Sequence, residues 1–184
     1  MTLEVGGPVS RMLDGKILTL WTIRAAAAVY AASVIAWLRR RDRSARLTWS
    51  LACLLYMAHV ACAFNFYHHW SHSAAYEDTA RRTAQLLGMS WGGGLYFNYI
   101  FTVVWIMDVI WWWRGAALYR SRPQWIQTSV HTFFAFMFFN ATVVFATGPV
   151  RWLGLVATAT LGFIWRQSGS GSVGRASSDS GTKV

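Results

Sequence analysis

Three histidines, His68, His69 and His72, stand within five residues in the stretch FYHHWSHSAAYEDTARR at 66–82, and Glu77 and Asp78 follow closely. If the stretch is helical, His68 and His72 are four apart and His69 and His72 three apart, so either pair shares a face. Two imidazoles so placed chelate a transition metal, and Glu77 or Asp78 adds an oxygen ligand where the chain bends between them. Copper, zinc and iron all suit that donor set, and the residues do not choose among them. The competing expectation is that the histidines form an amphipathic band with Trp70 at a membrane interface.

A second group of polar residues lies inside apolar stretches: Arg24, Asn65, Asn98, Asp108, His131 and Asn140. Counting at about 1.5 Å per residue puts Asp108 and His131 at one depth, so a hydrogen bond between them is expected. That pair is either a link between helices or a proton-accepting site. Arg24 shares a level with Asn140 and nearly with Asn98 and Asn65, so these four are expected to line a cavity below the histidines. The carboxylates of Glu77 and Asp78 are candidates to neutralise the arginine. His59 lies at a different depth from His131, which disfavours a haem held by both; one held by His59 and another axial ligand is the remaining haem reading.

These groups need elements to hold them. The chain of 184 residues is 55% hydrophobic and 13% charged, too apolar for an ordinary soluble domain. A bilayer core takes about 20 apolar residues as helix. Five stretches meet that need, at about 17–38, 47–67, 94–113, 127–147 and 150–165, the last being short. The expected fold is therefore all-α: a polytopic helical membrane protein forming a single bundle over 1–166. Loop 68–93 lies on the outer face and contains a short outer amphipathic helix, near 73–87. Within it Glu77 is expected to pair with Arg81 and Asp78 with Arg82, with Gly88 as the stop. The Ser/Gly-rich tail, 167–184, has no apolar period and is expected to be disordered.

A net charge of +10 is the kind that nucleic-acid binding uses, but the basic residues fall between apolar stretches rather than along one face. Arg39, Arg40, Arg41, Arg43, Arg46, Arg114, Arg120, Arg122, Arg166, Arg175 and Lys183 share one side, against Arg11, Lys16, Arg81, Arg82 and Arg151 on the other. That excess predicts a cytoplasmic first side, an external N-terminus and histidine loop, and a cytoplasmic C-terminus. The apolar run after Lys16 ends in Arg39, Arg40 and Arg41, which reads as an anchored helix and not a cleaved leader. Cys53 and Cys62 sit among Leu, Ala and Val and read as small buried hydrophobes.

Gly92, Gly93 and Gly94 lack the lysine and strand context of a phosphate loop, and no nucleophile motif stands out, so the reading leans away from an enzyme. The leading functional expectation is a small accessory or assembly subunit of a membrane complex, whose partners are the lipid bilayer and other membrane subunits. A membrane redox or metal-handling protein built on His68, His69 and His72 is the alternative. A proton-coupled transporter using Asp108 and His131 is a weaker one.

Overall fold

The computed structural model describes residues 8–145, 148, 151–152, 154–156, 158–160 and 162, and among them every regular element is helical. In chain order these are α1 (Pro8–Leu38), α2 (Asp42–Ala63), α3 (His72–Leu87), α4 (Gly94–Arg114), the short α5 (Ala116–Arg120) and α6 (Gln124–Phe139). A π-helical turn, Phe64–His68, prolongs α2, and another, Asn140–Val144, prolongs α6. Three stretches, Leu13–Leu38, Asp42–His68 and Gly94–Arg114, are long and apolar enough to cross a membrane. The tail expected at 167–184 lies outside the described residues, as does part of the stretch 150–165.

Why these helices pack is visible in their buried residues. On α2 the buried set is Ala45, Trp49, Ala52, Cys53 and Tyr56, and on α4 it includes Phe101, Trp105, Asp108 and Trp112. Both repeat at i, i+4, i+7 and i+11, the narrow stripe of helices that cross at small angles. On α1, Ala26, Tyr30 and Ser33 face the same seam. Alanine on α1 and α2 lets the two backbones approach closely, so packing contacts can form where lipid offers no hydrophobic drive. Into this frame α6 inserts Phe134, which is fully buried.

Side-chain bonds tie the helices at several levels. His59 Nδ1–H donates to the Thr19 carbonyl at 2.9 Å, joining α2 to α1. Trp113 Nε1–H donates to Ser50 Oγ at 2.8 Å, joining α4 to α2. Asp42, in the first turn of α2, is paired with Arg120 of α5.

The hairpin between α1 and α2 closes on Arg40, whose φ is 56°. Arg41 N–H reaches the Ala36 carbonyl at 2.9 Å and Arg40 N–H the Trp37 carbonyl at 3.0 Å, the bond pattern of a left-handed helix stop. Glycine is the usual residue at such a position, and a side chain there costs about 1–2 kcal/mol. Arg40→Gly is therefore expected to raise stability by about 1 kcal/mol in detergent unfolding, and no gain would show that the turn relaxes without strain.

The helix expected near 73–87 is α3. Ser71 caps it by accepting from Ala74 N–H at 3.3 Å, and Gly88, with φ 72°, ends it through its N–H to the Ala84 carbonyl at 2.9 Å. A Cβ at Gly92 would meet the Tyr76 carbonyl at 2.6 Å, so this glycine lets the start of α4 lie directly on α3.

Candidate functional site

At one end of the bundle the chain leaves α2 through the π-helical turn and enters α3 through His69 and Trp70, with φ 48° and 58°. Two successive left-handed residues break the helix between His68 and His72. The expected sharing of one face is lost for that reason. His68 packs edge-on against Phe64, ring centroids 5.6 Å apart, while His69 is exposed. His72 begins α3, and its Nδ1 lies 3.0 Å from Tyr99 Oη of α4. Glu77 is exposed. Asp78 accepts from Arg82 Nε at 2.9 Å, the pair expected, and also from Arg81 Nη2 at 2.8 Å, so that Arg81 is taken by Asp78 and not by Glu77. Among the described residues no three His, Cys, Asp or Glu side chains gather for a metal ion.

Partial burial pushes the Asp78 carboxyl up, but the hydrogen bonds and charges of Arg81 and Arg82 outweigh it and hold the group below the usual carboxylate range. A depressed value means stability that is present above about pH 4 and lost as pH falls through the folded value. The two arginines are largely exposed, which limits the effect to about 0.5 kcal/mol. Acidification through about pH 4 should lower the amide protection factors of α3 about twofold, once the intrinsic pH dependence of exchange is divided out, and Asp78→Asn should remove that response while leaving α4 unchanged.

Nor do the four polar residues expected beneath the histidines form a cavity. Arg24, Asn65 and Asn98 are exposed, and Asn140 is half-buried. The Arg24 guanidinium carbon lies 5.6 Å from the Trp21 ring centroid, and Asn140 Nδ2 donates to the Phe136 carbonyl of its own helix at 2.8 Å. Depth alone was the basis for grouping them, and depth does not fix which way a helix face turns.

The other end holds a dense buried polar group. Asp108 Oδ1 accepts from Arg122 Nη1 at 2.6 Å and Oδ2 from Tyr119 Oη at 3.0 Å. Asp108 is 5% exposed and Arg122 6%. The expected bond to His131 is not made; among the described residues His131 Nε2 is buried without a hydrogen-bond partner, and its ring lies 4.9 Å from that of Trp37. Gly115 breaks α4 from α5, and α5 brings Tyr119 back beneath the end of α4. There Tyr119 lies flat on Trp112, centroids 4.4 Å apart and planes at 2°. The Arg122 guanidinium carbon sits 3.9 Å from the centroid of the Tyr119 ring, so the cation is stacked on an aromatic ring as well as paired. Burial, and then the Asp108 charge, push the Tyr119 phenol above its ordinary range, which keeps it protonated and able to donate.

Tyr119 and Arg122 are the residues that sequence reasoning missed. The signal available was the cost of a lone buried carboxylate, which demands a cation as well as a hydrogen bond. Three arginines, Arg114, Arg120 and Arg122, follow Asp108 within fourteen residues, the first at the end of the same helix and the other two beyond it.

Together the fold and this group define a class: an all-helical protein with three helices able to cross a membrane, clamped at one end by a buried carboxylate, guanidinium and phenol. The chain matches no family model, no curated protein and no solved structure.

Proposed function

We propose that the chain is a small multi-pass integral membrane protein that serves as an accessory or assembly subunit of a larger membrane complex. In this reading α6 with its π-helical turn, and the stretch 150–165, add a fourth and fifth crossing. The N-terminus and histidine turn face outward and the arginine-rich end faces the cytoplasm. The observation that carries the reading is the outward face of α4. Tyr96, Ile100, Val103, Met107 and Ile110 are all exposed and repeat at i, i+4, i+7, i+11 and i+14. That is a second seam, opposite the buried one, of the kind that receives a partner helix. Meanwhile the buried polar side chains Asp108, Tyr119 and Arg122 are used within the chain to hold its own helices together.

Cysteines at Val103 and Met107, crosslinked in native membranes, should trap one partner of fixed mass. Full-length protein that stays a lone monomer in native nanodiscs, with no such adduct, would overturn the reading. A cysteine at Ser73 should react with membrane-impermeant reagents added outside whole cells; labelling only after lysis would reverse the orientation.

A second reading, a redox or metal-handling protein, draws on the strained His69–Trp70 turn, because side chains held in left-handed backbone gather at functional sites. Its check is elemental analysis of purified protein. Stoichiometric copper, zinc or iron, lost in His68→Ala/His72→Ala, supports it, and metal-free wild type rejects it. The proton-carrying reading of Asp108 with His131 loses its geometric basis, since the carboxylate is held by Arg122 and Tyr119 instead.

A further inference from the structure

Beside the buried ion pair lies a cavity of ≈ 180 Å³, its wall built by Trp37, Trp49, Trp112, Tyr119 and Phe138 with Leu38 at one end. The wall also includes Tyr30, eight residues before Leu38 on α1, so the space extends about 12 Å along that helix. Apolar cavities of about 150 Å³ already admit a benzene-sized guest. A space this long and apolar is shaped for a hydrocarbon chain running beside a membrane helix.

Its end carries the opposite chemistry. Leu38 is followed at once by Arg39, Arg40 and Arg41, all exposed. Asp42, the carboxylate next to them, is engaged by Arg120. Arg40 moreover occupies the left-handed position that glycine would fill with less strain, so the turn holds a guanidinium where the backbone alone would not select one. Guanidinium forks pair with phosphate oxygens.

We propose that the cavity and this turn are one site for an anionic phospholipid, with the phosphate among Arg39, Arg40 and Arg41 and part of one acyl chain in the cavity. Inorganic phosphate would satisfy only the turn, and a zwitterionic lipid, whose phosphate charge is already offset by its own choline, chiefly the cavity. The proposal goes beyond the accessory-subunit reading and needs only that α1 and α2 lie in a membrane.

The test uses the full chain, stripped of lipid in detergent and then offered phosphatidylglycerol, phosphatidylcholine or glycerol phosphate, with native mass spectrometry and thermal unfolding as readouts. Phosphatidylglycerol should be retained at least about tenfold more tightly than phosphatidylcholine, since each of the three basic residues near an anionic headgroup contributes up to roughly fivefold. Glycerol phosphate should neither be retained nor shift unfolding. Arg40→Gly should lower phosphatidylglycerol retention about fivefold while the apo protein unfolds no earlier, which separates loss of charge from loss of fold. Ala135→Phe, which fills the cavity from α6, should lower retention of phosphatidylglycerol with the arginines intact. Equal retention of both phospholipids, unchanged phosphatidylglycerol binding in Ala135→Phe, or glycerol phosphate binding as tightly as the lipid would each overturn the proposal.

Discussion

Asp108→Ala is expected to destabilise the bundle by about 3–5 kcal/mol, the largest effect of any single polar substitution in this chain. The reason is what remains behind. Arg122 would keep its charge at 6% exposure with Tyr119 Oη deprived of its acceptor, while Nε and Nη2 of the guanidinium already lack hydrogen-bond partners among the described residues. Arg122→Ala should cost a similar amount by stranding the carboxylate. Removing both partners at once, as Asp108→Leu/Arg122→Met, should cost far less than the sum and can come out neutral, because the desolvation of two ions disappears together with their attraction. Tyr119→Phe removes one hydrogen bond to a charged group and should cost about 1.5–3 kcal/mol, while the stack on Trp112 is kept. Reversible unfolding in mixed detergent, run as a double-mutant cycle, decides the matter. A coupling energy near zero between Asp108 and Arg122 would mean that the pair does not clamp the turn after α5 to α4.

This clamp also shows where sequence reasoning reaches its limit. Hydropathy located the long helices because a bilayer demands about 20 apolar residues regardless of what packs against them. α4 runs Gly94–Arg114 where 94–113 was expected, and α1 and α2 begin earlier than expected, at Pro8 and Asp42. The need for a partner at Asp108 was legible too, from the cost of a buried charge. The identity of the partner was not. Depth along straight helices favoured His131, but the loop after Arg114 folds back as α5, and nothing in composition distinguishes Arg122, which turns inward, from Arg114 and Arg120, which stay exposed.

The histidine turn failed for a different reason. Pairing His68 with His72 assumed continuous helix, whereas two left-handed residues intervene at positions where neither glycine nor asparagine marks them. The heptad stripes on α2 and α4, by contrast, can be read directly from spacing once the buried face is known. Their twin on the outer face of α4 has the same period, so spacing alone does not say which stripe is core.

Phe134→Ala should be the most damaging apolar substitution, at about 2–4 kcal/mol. Phe134 is 0% exposed, and its ring contacts Trp49 at 4.9 Å, Phe101 at 4.6 Å and Trp105 at 5.1 Å between centroids, so it joins α6 to both α2 and α4. In a soluble core its loss would cost about 3–5 kcal/mol, part of it transfer from water. If the helices separate within lipid, the freed ring stays in hydrocarbon and the transfer part largely cancels. What is left is lost dispersion, the void, and four aromatic pairs, the fourth with Tyr30 of α1 at 6.3 Å, worth about 0.5–1.5 kcal/mol each at most. Phe136→Ala on the same helix is the control, because Phe136 is 52% exposed and should change stability by about 0.5 kcal/mol or less. Both would be followed by reversible unfolding in detergent and again in bilayers. A Phe134→Ala cost that matched Phe136→Ala would show that α6 does not enter the seam between α2 and α4. A cost that stayed large in detergent but vanished in bilayers would show that lipid chains refill the void, which would make the interior of this small bundle open to lipid at the level of Phe134.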